Sequence, residues 1–180
     1  MLLKNIAILS LMEQKLPASD HRMMTIKRND TAVKKRHTVK VLTLTNHDLK
    51  ILYMSPVFGG SVHDYMIMKK CLPPHISWFE GMTLRADLGF LGAATDYGRG
   101  ADIRLPHKKP KRSKVNPHPR LTKIQQRANR HHSSIRVLVE HAIARIKSFH
   151  CLTHRIRNQS SALIDQFFGL AGGLWNYKIS

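Results

Sequence analysis

Ser134 to His150 places Ile135, Leu138, Val139, Ala142, Ile143, Ile146 and Phe149 at helical spacing, and no other stretch constrains the fold as tightly. At roughly 100° per residue these side chains form one stripe, which a folded chain must bury. The helix carries one acid, Glu140, at roughly 140° from the centre of that stripe. Arg136 and Lys147 share its side of the helix. Such a helix docks on a core by one face and presents a carboxylate among cations from the other.

Glu140 is also the single acid between Asp102 and Asp165, a segment with 15 Lys and Arg. Over all 180 residues, 30 Lys and Arg stand against 11 Asp and Glu, a net charge of +19. Solubility needs far less. An excess of this size favours polyanion partners, because each neutralised phosphate releases condensed counterions. Charge alone does not separate an enzyme from a ribosome-associated or histone-like protein. The length suits one domain with a real core. Cys71 and Cys151 make no disulfide framework and fit a reducing interior, so a cytoplasmic protein is expected. No apolar run approaches the roughly 20 residues of a membrane span. Met1 to Met12 contains Lys4 and Asn5 and runs into Glu13-Gln14-Lys15 without a cleavage pattern; Ile6 to Met12 reads as a buried strand rather than a signal peptide.

Thr38 to Thr45 and Lys50 to Val57 read as paired strands about an Asn46-His47-Asp48 turn, with Gly59-Gly60 ending the hairpin. Ser61-x-x-Asp64 has the form of a capping box and opens a short helix that Pro73-Pro74 stops. Met82 to Ala86 and Ala101 to Leu105 are further strand candidates. Pro106 to Arg120 holds four prolines and no acid, which predicts an extended basic loop. Leu121 to His132, Ser134 to His150 and Ser161 to Tyr177 read as helices, the last packing through Leu163, Phe167, Leu170 and Leu174. The order predicts an α/β or α+β fold with one mixed sheet.

Cleaving or transferring a phosphodiester calls for hard cations that activate one oxygen and stabilise another. Magnesium takes oxygen ligands, so converging carboxylates are required. Asp87, just past a strand end, and Glu140, on an outward helix face, are the pair that could meet at a sheet edge. Each has a plainer reading. Glu140 with Arg136 four residues earlier resembles a surface ion pair worth roughly 0.3–0.5 kcal/mol. Asp87 before Leu-Gly resembles a turn former. Asp64, Asp96 and Asp102 suit caps, loops and strand ends. His150, Cys151 and His154 are the one tight His/Cys cluster; without a second pair at finger spacing, zinc is not expected. His131-His132 are expected to extend the basic surface or cap a helix end.

Five blocks occur in order: Lys34-Lys35-Arg36-His37-Thr38-Val39-Lys40; Gly59-Gly60-Ser61-Val62-His63-Asp64; Ala86-Asp87-Leu88-Gly89-Phe90-Leu91-Gly92; Asn129 with Arg136-Val137-Leu138-Val139-Glu140-His141; and Arg155-Ile156-Arg157-Asn158. Over residues 33 to 177 the chain resembles DDE-type transposases of bacterial insertion sequences, in the Harbinger-related group. The resemblance implies a ribonuclease H-like mixed sheet flanked by helices, with residues 33–180 as the catalytic core. It implies two magnesium (or manganese) ions held by three carboxylates, and double-stranded DNA at element ends and target as substrate, handled by a homo-oligomer. Asp87 matches the second acid, with Phe90 in place of the family's usual Tyr, and Glu140 matches the third. Asp64 matches a His-Asp pair read as structural support. Lys147 and Arg155 match positions that contact DNA, joined by Lys108, Lys109, Lys111, Arg112 and Arg136 as phosphate-binding candidates.

The first acid departs from the pattern. The family places an Asp shortly before Thr-Glu-Gln, and the corresponding position here is Ser10, ahead of Glu13-Gln14. A hydroxyl lacks the charge to bridge two divalent ions, so weak metal binding and little turnover are expected. Asp20 and Asp30 fall in the loop beyond that strand. Residues 1–32 are accordingly read as a partial or degraded first strand and loop of a truncated gene product. The rival readings are a catalytically dead DNA-binding remnant and a basic RNA-associated structural protein. In the last, Asp87 and Glu140 have no reason to lie within roughly 10 Å of one another, the range that shared ions about 4 Å apart would demand.

Overall fold

The computed structural model describes residues 6–15, 38–114, 116–149, 152 and 160–180. Its centre is a long strand, β1 (Ile6–Lys15), paired antiparallel along its whole edge with β2 (Thr38–Asn46). On the far side of β2 lie β3 (Ile51–Met54) and the two-residue β4 (Phe58–Gly59), both antiparallel to it. β5 (Thr83–Arg85) runs parallel to β1, and β6 (Asp102–Arg104) parallel to β5. The order is β3-β2-β1-β5-β6, with β4 pairing β2. Among the described residues this is the mixed α/β sheet expected, consistent with a ribonuclease H-like fold.

β1 is apolar at successive positions because both of its faces are covered. Ala7 and Leu9 pack with Leu42, Ile67, Met68, Phe90 and Tyr97 on one side. Ile8 and Met12 pack with Val139, Ile143, Ile146, Phe168 and Trp175 on the other. The first layer belongs to α1 (Asp64–Cys71) and α2 (Ala93–Tyr97), and the second to α3 (Lys123–Lys147) and α4 (Ser161–Ile179). No helix of the described residues is long and apolar enough to cross a membrane.

Several local expectations shift. Gly59 does not end the hairpin but belongs to β4. The cap of α1 is His63, whose Nδ1 accepts from Tyr65 N–H, not Ser61. The two helices expected around Ser134 are one, because Ser133 and Ser134 stay in the helix and Ser134 Oγ donates to the His131 carbonyl. A capping box starts that helix: Thr122 Oγ1 accepts from Gln125 N–H, and Gln125 Oε1 accepts from Thr122 N–H.

α4 is rotated from the orientation its leucines suggested. Ile164, Phe168, Ala171 and Trp175 are buried and Phe167 packs against their cluster as expected, whereas Leu170 and Leu174 are 60% and 44% exposed. Polar anchors decide this rotation. Asn176 receives a bond from Ile51 N–H (2.8 Å) and donates to the Ile51 carbonyl (2.8 Å), and Asp165 accepts from Val57 N–H (2.6 Å). The leucine spacing alone cannot distinguish two apolar stripes on one helix; the edge of β3 and the segment after it select the stripe that brings Asn176 and Asp165 to them.

Phe168→Ala should cost about 3–5 kcal/mol by cavity formation, and Leu174→Ser no more than about 0.5 kcal/mol. Urea denaturation of the two variants checks the rotation, and equal losses would contradict it.

Candidate functional site

The polar stripe of α3 meets the ends of the sheet strands. Asn129, His132, Arg136, Glu140 and Lys147 follow one another at helical spacing beside the apolar face. Asn129 bonds the backbone of His107, just beyond β6. His132 is buried, and its Nε2 donates to the Ala86 carbonyl at 3.0 Å, just beyond β5. Arg136 reaches Asp87, and Lys147 Nζ donates to the Glu13 carbonyl of β1 at 2.7 Å. Burial lowers the Lys147 ammonium below the usual lysine range, with Glu13 opposing.

Asp87 and Glu140 meet at one guanidinium. Arg136 Nη1 lies 2.8 Å from Asp87 Oδ2, and Nη2 lies 3.3 Å from Glu140 Oε1. The Arg136–Glu140 contact is the ordinary pair four residues apart. The Arg136–Asp87 contact joins residues 49 positions apart and is not local. The two carboxyl groups therefore sit within one guanidinium's span, half exposed at the sheet margin. Asp87 Oδ1 also accepts from Leu88 N–H at 2.7 Å, so the turn-forming role and the site role coexist in one side chain.

The Asp87 turn is braced from α1. Gly89 packs so closely on Asp64 that a Cβ there would stand 2.7 Å from Asp64 Oδ2. Asp64 in turn pairs with Lys40 Nζ at 2.9 Å. The structural support read for Asp64 is what the geometry displays. Phe90, in place of a tyrosine, is buried and needs no hydroxyl partner.

Ser10 closes the arrangement from β1. The last parallel pair is Ile8↔Arg85, and two further residues along each strand are Ser10 and Asp87. Ser10 shares the parity of Ile8 and Met12, which face α3 and α4. Its Oγ is buried with no hydrogen-bond partner among the described residues, as is Oγ1 of Thr43, its cross-strand neighbour. Arg85, 6% exposed, adds a buried Nε without a partner among the described residues. Burial and then the Arg104 charge pull its guanidinium below the usual arginine range, with Asp102 opposing. Two hydroxyls and one donor are thus orphaned in this part of the sheet.

The donor set fits a hard divalent cation only in part. Asp87 and Glu140 supply two convergent carboxylates, but no three His, Cys, Asp or Glu come together among the described residues. Lys108, Lys109, Lys111 and Arg112 stand exposed on the loop after β6, with no ion pair among the described residues. Arg155, Asp20, Asp30 and the His150, Cys151, His154 group lie outside the described residues. Buried His132, read from sequence as surface or cap, is a correction: its wheel position, between the apolar and polar stripes of α3, was the available signal. Arg85 gave no such signal.

A ribonuclease H-like sheet with an acidic pair at its margin and a cationic loop beside it defines a class of nucleic-acid-processing proteins. The chain belongs to the DDE superfamily endonuclease family, whose sequence profile matches residues 27–176. It is 29% identical over 148 residues to the probable transposase for insertion sequence element IS702 of Microchaete diplosiphon, covering 80% of this chain. The chain spans about half (48%) of that relative's length. No solved structure matches it significantly.

Burial depresses His132 below the usual value of 6.5, so the folded state favours the neutral ring. Its stabilisation is complete above the unfolded value and is lost as pH falls below it, because the unfolded chain then binds the proton first. Stability measured from pH 7.5 to 5 should fall less steeply in His132→Gln than in the unsubstituted protein; parallel slopes would exclude this assignment. Arg85→Met should raise stability by about 1–3 kcal/mol by removing a buried Nε donor that finds no partner among the described residues, read as a higher Tm.

Proposed function

We propose that this chain is the catalytic core of a DNA transposase. It binds duplex DNA along the loop 106–120 and the cationic side of α3, and acts on a phosphodiester at Asp87 and Glu140. The observation that carries this reading is the shared Arg136 guanidinium, which brings together two acids distant in sequence at the margin of a sheet. A purely structural RNA-associated protein has no use for that meeting. Charge favours the same conclusion. Lys108, Lys109, Lys111, Arg112 and the exposed first turns of α3 (Lys123, Arg127, Arg130) offer phosphate contacts without sequence discrimination.

Asp87 and Glu140 would hold a magnesium or manganese ion, which when bound supplies Lewis acidity at a phosphoryl oxygen. The chain's own groups do the rest. Arg136 neutralises the acid pair in the absence of other cations and is placed to take a phosphate oxygen instead. His132 fixes the strand end that carries Asp87. Lys147 is tied to β1 and so holds α3 against the strand bearing Ser10. Element ends and a target would be the DNA substrates, and two copies working together would handle two ends.

A second reading, a DNA-binding remnant without turnover, draws on one observation: the orphaned Ser10 hydroxyl at the level of Asp87. Supercoiled DNA incubated with Mg²⁺ or Mn²⁺ separates the two. Nicking that vanishes in Asp87→Ala and Glu140→Ala supports the enzyme; salt-sensitive binding without nicking supports the remnant. Ser10→Asp should raise nicking at least about tenfold, about 1.4 kcal/mol of barrier, or bring it above detection where the unsubstituted chain shows none. An unchanged rate would show that Ser10 does not stand where a third acid belongs.

A further inference from the structure

The backbone leaving β6 is gripped by one side chain. Asn129 Oδ1 accepts from His107 N–H at 2.8 Å, and Asn129 Nδ2 donates to the His107 carbonyl at 3.0 Å. A single amide thus satisfies both main-chain groups of one residue, as a neighbouring strand would. The next residues are Lys108, Lys109, Pro110, Lys111 and Arg112, all exposed. The prolines at 106 and 110 bracket the gripped residue and limit the loop's freedom on either side. Asn129 precedes Arg136 by seven residues and Glu140 by eleven, about 10 and 16 Å of helix. Duplex DNA advances about 3.4 Å of axis per phosphate on each strand. Along a duplex lying parallel to α3, these distances correspond to about three nucleotides to Arg136 and about five to Glu140.

We propose that Asn129 is a positioning residue, clamping the basic loop at a fixed distance from Asp87 and Glu140 so that its cations and the acid pair address one stretch of duplex. This rests on the DNA-binding reading above. The clamp touches no phosphate; it removes the ordering that the loop would otherwise undergo on binding.

The test is the affinity of the full chain for a fluorescent duplex of about 20 base pairs, measured by anisotropy over a series of salt concentrations. Asn129→Ala should weaken binding about fivefold to tenfold at every salt concentration, because the loop must then be ordered on binding. Its slope of log K against log salt should not change, since every charge remains. A quadruple Lys108, Lys109, Lys111, Arg112→Ala variant should flatten that slope by up to about 3.6, roughly 0.9 per phosphate contact. Asn129 is half-buried in mid-helix, where alanine is well tolerated, so Tm should move little. Asn129→Gln, with the amide displaced by one methylene, should weaken binding in the same sense. Hydrogen exchange at 107–112 in the DNA-free protein should quicken in both variants. Unchanged affinity in Asn129→Ala, or a slope that falls with it, overturns the clamp. A slope that the quadruple variant leaves unaltered instead overturns the loop as a DNA surface, and the two failures are told apart by which variant is silent.

Discussion

The contact of Arg136 with both Asp87 and Glu140 depends on a prior fact, the rotation of α3 about its own axis. Val139, Ala142, Ile143 and Ile146 are buried against Ile8, Met12 and Val41, and that apolar seam fixes the rotation. With it fixed, the neighbouring stripe can point only at the strand ends. Asn129, His132, Arg136 and Lys147 then each find a partner from a different part of the sheet margin. A helix turned by one residue's worth, about 100°, would bury Arg136 and carry Glu140 away from Asp87. The hydrophobic seam thus sets the geometry of a site in which no hydrophobic residue takes part.

Charge within the site is balanced in an unusual way. Asp87 and Glu140 bring two negative charges, and Arg136 and Arg85 bring two positive ones within the same layer of side chains. An enzyme holding two divalent ions needs a site that is net negative before the ions arrive. With serine at position 10 the local sum is near zero, and an arriving cation must compete with Arg136 for both carboxylates. An acid at position 10 would tip that balance and give the orphaned groups of Thr43 and Arg85 something to meet. The orphaned hydroxyls of Ser10 and Thr43 and the orphaned Nε of Arg85 leave polar atoms on this face that a carboxylate at position 10 could meet.

Much of this was legible in the residues. The apolar seam of α3, the strands around Thr38 to Thr45 and Met82 to Ala86, the basic loop and the pairing of Asp87 with Glu140 follow from periodicity, turn residues and the scarcity of acids. What escaped depends on contacts between distant segments. Leu170 and Leu174 outweighed Ile164 and Phe168 on the page because leucine spacing cannot register that Asn176 must reach Ile51. Two helices were expected on either side of Ser133, yet Ser134 bonds back to the preceding turn and the helix continues. His132 and Arg85 are polar residues in buried places, and single-residue propensity expects both at the surface.

Two asparagines solve one problem at opposite edges of the sheet. β3 and the chain beyond β6 are outer segments whose free N–H and C=O groups would invite another strand. Asn176 from α4 satisfies both groups of Ile51, and Asn129 from α3 satisfies both groups of His107. Each helix thereby gains a fixed orientation relative to an outer segment, and one residue of each segment has both main-chain groups satisfied without a further strand. At β3 the result is only stability, because nothing charged follows Ile51 in the sheet. Past β6 the same device holds the residue just before a run of cations, and there it also bears on how far those cations lie from the acids. A packing solution becomes a functional one solely through what the sequence places next.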